Sequence, residues 1–310
     1  MKPAWSIILF TTIGGAAQGM AVVAAVTTLS GAAPQGLVAQ MLWTSLAMLV
    51  AALVASFFHL GHPLRAWRAI LMWRTSWMSR EVIVLPAYIV LIGAWALLAG
   101  TAQVDGNVAR VLAVLAIGGA ALLWVCTAMI YACIRFIQEW AHPLTIVNYF
   151  ALGLASGAVS SGALAMLAGE TAFAASLAGW ALAATALAWI TRGLSLRRNA
   201  GLKLRSTPQS ATGIQAARVV QTSMGFTGGS FNTREFFHGA SLQAFRMAKV
   251  GFQVLVFAVP LASLAWAVAT GSAGAWLLAL ASQAAGLLVE RWFFFAQARH
   301  PQNIYYQVVS

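Results

Sequence analysis

Long apolar runs broken by short polar stretches set the pattern of this chain. Eight runs, at about 5–29, 37–58, 82–100, 108–134, 144–168, 171–191, 249–270 and 274–297, are each long enough to cross the roughly 30 Å of a bilayer's hydrocarbon as a helix. They predict an all-α integral membrane protein, a single domain over residues 1–310 with eight transmembrane helices in an up-down bundle. The first run is too long for a signal-peptide core and follows only Lys2, so it is expected to stay as a helix. An even number of crossings puts both termini on one side.

Composition narrows the class further. At 61% hydrophobic and 8% charged, the chain cannot be a soluble globular domain, which has about a quarter of its residues charged, nor a disordered or disulfide-stapled secreted one. Of the 18 Lys and Arg residues, 17 fall on the side of the termini, and Arg110 is alone on the other. Positive loops resist translocation, so the N and C termini are expected in the cytoplasm of a bacterial cytoplasmic (inner) membrane. The net charge of +12 is therefore topology and lipid contact, with no nucleic acid implied.

Two inner segments stand apart from the short Gly, Ser, Asn and Pro turns of the outer side. Residues 61–80 form an interfacial cytoplasmic segment in which Leu64, Trp67, Ile70, Leu71 and Arg74 follow helical spacing while Arg65 and Arg68 point elsewhere. Residues 192–248 form a long cytoplasmic loop for partner docking. Its aromatic and basic residues, with Phe226, Phe231, Arg234, Phe236, Phe237 and His238 foremost, are the types that dominate interfaces.

Candidate chemistry also gathers at the inner edge. All five histidines fall there, and none lies at the outer leaflet, so a pair of haems stacked across the membrane is not expected. Cys126 and Cys133 lie roughly 10 Å apart along one helix, too far for a disulfide, and no Cys-x-x-Cys pair is present to hold an iron–sulfur cluster or zinc. His59 sits on the last apolar turn of the second run, where lipid can reach it and a polar group needs a partner. Four acids share that edge, each near an arginine: Arg80 with Glu81, Arg135 with Glu139, Arg234 with Glu235, and Glu290 with Arg291. Such pairs lower the cost of a charge at the membrane edge, or supply protons to a redox reaction. No charged relay crosses the bilayer, and Gly15-x-x-x-Gly19 and Gly153-x-x-x-Gly157 read as close-packing spacings.

The stretch Ser56-Phe57-Phe58-His59-Leu60-Gly61-His62-Pro63-Leu64-Arg65-Ala66-Trp67, followed by Ser76-Trp77-Met78-Ser79-Arg80-Glu81-Val82, resembles the DmsC family of membrane anchors of molybdenum oxidoreductases. The likeness runs through all eight spans and includes Gly286 to Arg291. The resemblance implies an anchor without haem that binds quinone (ubiquinone or menaquinone) beside an iron–sulfur subunit, itself joined to a molybdopterin catalytic subunit. Iron–sulfur clusters and molybdopterin then belong to the partners alone. The family's histidine falls on His59, in the quinone site, with Arg65, Arg68, Arg80 and Glu81 shaping its edge.

The insert carrying Ser206 to Gly213 and Met224 to Gly239, with the tail Arg299 to Asn303, looks like the sulfite dehydrogenase (SoeC-like) branch of that family. That branch implies electrons from cytoplasmic sulfite oxidation passing to quinone. Two other expectations stay open: an anchor for a quinol-oxidising, dimethyl sulfoxide reductase-type complex, and an eight-span transporter with a regulatory loop.

Overall fold

The computed structural model describes residues 1–58, 60–100, 106–203, 205–220, 222 and 237–301. Among them are eight helices long and apolar enough to cross a membrane: α1 (Trp5–Ser30), α2 (Gln35–Phe57), α3 (Trp77–Ala99), α4 (Gly106–Ala132), α5 (Pro143–Leu167), α6 (Thr171–Ala200), α7 (Leu242–Thr270) and α8 (Ala273–Ala296). Their ends follow local chemistry. Ser76, Ser241 and Ser272 accept backbone N–H groups at the starts of α3, α7 and α8, replacing bonds the first turn lacks. Gly31 and Gly271 close α1 and α7 at φ +68° and +66°, a conformation that costs glycine little.

The helices form two antiparallel four-helix units. In the first, α1 packs on α2, α2 on α3, α3 on α4, and α4 back on α1; in the second, α5, α6, α7 and α8 close a ring the same way. The units join mainly through α1 and α5, where glycines let the two backbones touch. A Cβ on Gly19 would sit 1.9 Å from the Gly153 carbonyl oxygen, and one on Gly157 would sit 2.1 Å from the Gly19 carbonyl carbon. Gly15, the other half of one expected spacing, faces open space.

Both ends of the described chain meet at one end of the bundle, where the Met1 amino group donates to the Ala298 carbonyl at 3.0 Å. The α4–α5 connection and the end of α6 lie there too: Arg198 donates to the Gln138 carbonyl at 2.8 Å, and the Arg299 guanidinium lies 3.8 Å from Glu139. This is the charged end of the molecule. Two features differ from the expected spans. α6 runs to Ala200, nine residues past the apolar run, because Arg192 turns inward and buries. α7 begins at Leu242 with an amphipathic turn and carries one π-helical stretch, Val254–Ala258.

That π stretch is tied to α8. The Ser282 hydroxyl donates to the Leu255 carbonyl at 2.8 Å and the Gln283 amide to the Val256 carbonyl at 3.3 Å, while Gly286 leaves room for the backbone of Leu255 and Val256. Carbonyls that a π turn releases from the regular ladder thus find donors on the neighbouring helix.

Candidate functional site

The first candidate site lies where α2 gives way to α3 at the charged end. The connection is a 3-10 helix, Pro63–Met72, in place of the α-helical spacing expected, and its three-residue repeat puts Leu64, Trp67, Ile70 and Trp73 in one row and Arg65, Arg68, Leu71 and Arg74 in the next. Proline at its start presets the tight turn. The segment packs on α3 yet leaves a large apolar surface open, with Leu64 94% and Phe58 81% exposed, and Trp67 and Leu71 beside them. Arg65 and Arg68 are exposed within it.

Arg80 fixes this connection. Its Nε donates to the Trp73 carbonyl at 3.0 Å and its Nη2 to the Arg74 carbonyl at 2.9 Å, and the guanidinium lies 4.1 Å from the Trp77 ring centre. The expected pairing of Arg80 with Glu81 is absent among the described residues. With Arg80 held by the Trp73 and Arg74 carbonyls, Glu81 instead turns into the bundle, is buried, and accepts a hydrogen bond from the Thr127 hydroxyl of α4. No cation pairs with this carboxyl among the described residues. A cavity of about 10 Å³ adjoins Thr127, lined also by Gln18, Trp124 and Tyr149, which is room for about one water. The Gln18 amide oxygen and the Trp124 indole nitrogen there have no hydrogen-bond partner among the described residues. His59 lies outside the described residues.

The second polar centre was not foreseen as a unit. Glu290 of α8, wholly buried, lies between two buried arginines, with Arg192 Nε of α6 at 2.7 Å from one oxygen and Arg291 Nε at 2.5 Å from the other. Aromatic rings enclose it: the Arg291 guanidinium is 4.6 Å from the Tyr149 ring centre and 5.0 Å from that of Phe294, and Arg192 lies 5.4 Å from Phe252. Trp140 stacks on Phe294 at 5.6 Å and donates its indole N–H to the Phe294 carbonyl at 3.0 Å. The Glu290–Arg291 neighbours were visible in the sequence. Arg192, 98 positions away and beyond the apolar run, carried no such sign.

One other expected pair, Arg135 with Glu139, is replaced, and Arg234 with Glu235 lies outside the described residues. Arg135 and Glu139 lie in the irregular α4–α5 connection, where four-residue helical spacing has no meaning, and Glu139 pairs with Arg299 while accepting the Arg299 backbone N–H at 3.4 Å. Cys126 and Cys133 are unpaired, one buried and one exposed. His142 starts α5, its Nδ1 accepting the Leu144 N–H at 3.2 Å, and His238 accepts the Ala240 N–H at 3.0 Å in the same way. Burial, then the Arg198 charge, lowers the His142 pKa; burial, then the chain's amino terminus, lowers that of His238. Both changes keep Nδ1 free to accept.

Of the residues expected in partner docking, Phe226, Phe231, Arg234 and Phe236 lie outside the described residues. Phe237 and His238 are described and turn toward the bundle. His238 stacks on Phe245 of α7 at 5.3 Å with Phe237 4.6 Å away, and it meets Trp292 of α8 edge-on at 6.2 Å.

Comparisons with known proteins give the family. One relative is the C subunit of the sulfite dehydrogenase of Allochromatium vinosum, 44% identical over 329 aligned positions that cover 100% of both chains. Residues 1–296 match the DmsC profile, described as the DMSO reductase anchor subunit, and the chain belongs to this family of membrane anchors.

Proposed function

We propose that this DmsC-family anchor binds quinone at the connection between α2 and α3 and passes electrons between an iron–sulfur partner and the quinone pool, within a three-subunit molybdopterin oxidoreductase. The observation that carries the reading is a juxtaposition. An exposed aromatic and apolar surface bearing Arg65 and Arg68 lies on the connection that leads into α3, and early in α3 comes a buried carboxyl, Glu81, that no cation neutralises among the described residues. The surface suits an apolar ring and its tail arriving from lipid.

The donor set fits a quinone head. When bound, the quinone supplies two-electron, two-proton redox chemistry. The 10 Å³ cavity beside Thr127 is too small for a ring, so the ring belongs on the exposed side of the 3-10 connection, with Glu81 behind it. His59, which follows Phe58 in the sequence, hydrogen-bonds a quinone carbonyl in this reading. Glu81 holds or gives up a proton at its carboxyl, with Thr127 orienting it. Arg80 keeps the connection in place through the Trp73 and Arg74 carbonyls. Arg65 and Arg68 shape the edge.

The end-to-end match to a sulfite dehydrogenase subunit supports sulfite as the partner's substrate and sulfite-to-quinone as the direction. The charged end then faces the cytoplasm of a bacterial inner membrane, where loops rich in Lys and Arg stay. The segment ahead of α7, with Phe237 and His238 at its end, docks the iron–sulfur subunit, and the molybdopterin subunit sits beyond it. The test is His59→Ala in the assembled complex. Quinone reduction is expected to fall at least about tenfold while sulfite oxidation with a soluble dye is kept; unchanged quinone reduction takes His59 out of the site. Assaying the same complex with dimethyl sulfoxide separates this reading from quinol-driven sulfoxide reduction.

A further inference from the structure

A cleft of about 470 Å³ opens at the charged end between α6, α7 and α8, in the second unit and apart from the α2–α3 connection. Its origin is in the packing. Beyond the π stretch, Val259–Thr270 packs on α6, whereas the stretch Leu242–Gln253 packs chiefly on α8, so α6 and α7 part as they approach the charged end. Leu196 of α6, Phe245 of α7 and Phe293 of α8 wall the gap, with Phe245 and Phe293 ring centres 4.7 Å apart.

The charges at this cleft are unbalanced. Arg299 has a carboxylate, Glu139. Arg246 and Lys249, one turn apart on α7, have no carboxylate within ion-pair distance among the described residues. Next to them on the same helix, Met247, Val250 and Val254 form an apolar row turned outward, with Met247 65% and Val250 61% exposed. Two cations on the same turns as a row of outward-facing apolar side chains, near the end of a candidate span, match one amphiphile with an anionic head and apolar tails.

We propose that this cleft binds an anionic phospholipid, its phosphodiester held by Arg246 and Lys249 and its acyl chains laid along Met247, Val250 and Val254. Free phosphate shares the head chemistry but not the tails, and a neutral lipid shares the tails but not the charge, so the two controls separate the sources.

The full chain in neutral detergent is titrated with phosphatidylglycerol, phosphatidylcholine and inorganic phosphate, with bound lipid counted by native mass spectrometry. Phosphatidylglycerol is expected to bind tighter than either control. At about 1 kcal/mol per basic side chain, Lys249→Gln weakens it about fivefold and the Arg246→Gln, Lys249→Gln pair about 30-fold. The charge-keeping pair Arg246→Lys, Lys249→Arg retains binding and guards against misfolding of the neutral variant. Equal phosphatidylglycerol affinity in the neutral and charge-keeping variants overturns the proposal. So does inorganic phosphate binding as tightly as the lipid, or release of soluble partner subunits by the neutral pair with lipid binding unchanged.

Discussion

The two four-helix units each bury a glutamate near the charged end, and they treat it in opposite ways. In the second unit Glu290 is held between Arg192 and Arg291 inside an aromatic cage. In the first, Glu81 has one hydroxyl partner among the described residues, and a cavity of about 10 Å³ adjoins that hydroxyl's residue, Thr127. Burying charge is expensive unless it is paired, so the triad is an arrangement that fixes helices, joining α6 to α8 and, through Tyr149, to α5. A carboxyl left with a hydroxyl alone does little for stability. Early in α3, just after the 3-10 connection in the chain, it is the carboxyl to which the proposed function gives the proton.

The contrast breaks most visibly at the triad. Glu290→Ala leaves two buried guanidinium groups without their anion, and we expect about 3 to 5 kcal/mol of destabilisation, read as poor recovery and a lowered unfolding midpoint in detergent. Glu81→Gln keeps an acceptor for Thr127 and should change stability by no more than about 1 kcal/mol. Similar losses in the two variants would erase the distinction between the units.

The join between the units comes next. Gly157→Leu places side-chain atoms where α1 and α5 backbones touch, and is expected to cost at least about 3 kcal/mol or to separate the units. Gly15→Leu, facing open space, is the matched control. A smaller effect, about 1 to 2 kcal/mol, is expected for Arg80→Ala, which frees the Trp73 and Arg74 carbonyls, with a change in tryptophan fluorescence from the connection.

The smallest effect is a pH dependence. The folded pKa values of His142 and His238 lie below 6.5, so the unfolded chain binds more protons in the interval between the folded and unfolded values. Their contribution is complete above pH 6.5 and is lost as pH falls through the folded pKa. For the His142 cap about 1 kcal/mol is at stake, and His142→Ala should flatten that part of the pH profile of the unfolding midpoint.

Hydropathy located all eight spans to within a few residues at most ends, because a helix in lipid must be apolar along its length. It stopped α6 too early, since Arg192 reads as the first residue of a loop until its partner Glu290 is known, and that pairing is made by tertiary packing. The α-helical spacing seen in Leu64, Trp67, Ile70 and Leu71 fits a 3-10 repeat nearly as well over ten residues, so periodicity could not separate them. Adjacent charges suggested Arg80 with Glu81 and Glu290 with Arg291; the second pair forms, whereas Arg80 is taken by the Trp73 and Arg74 carbonyls and Glu81 by Thr127. The π stretch left no pattern of its own. The motif around Glu81 singled that residue out in the sequence, whereas its contact with Thr127 left no sign there.

The central claim is that Glu81 serves the quinone reaction and not the fold. It is tested most directly by the ratio of quinone-linked to dye-linked sulfite oxidation in the assembled complex carrying Glu81→Gln. The account predicts a ratio lowered at least about tenfold with the unfolding midpoint unchanged. A ratio equal to that of the unaltered complex would contradict it.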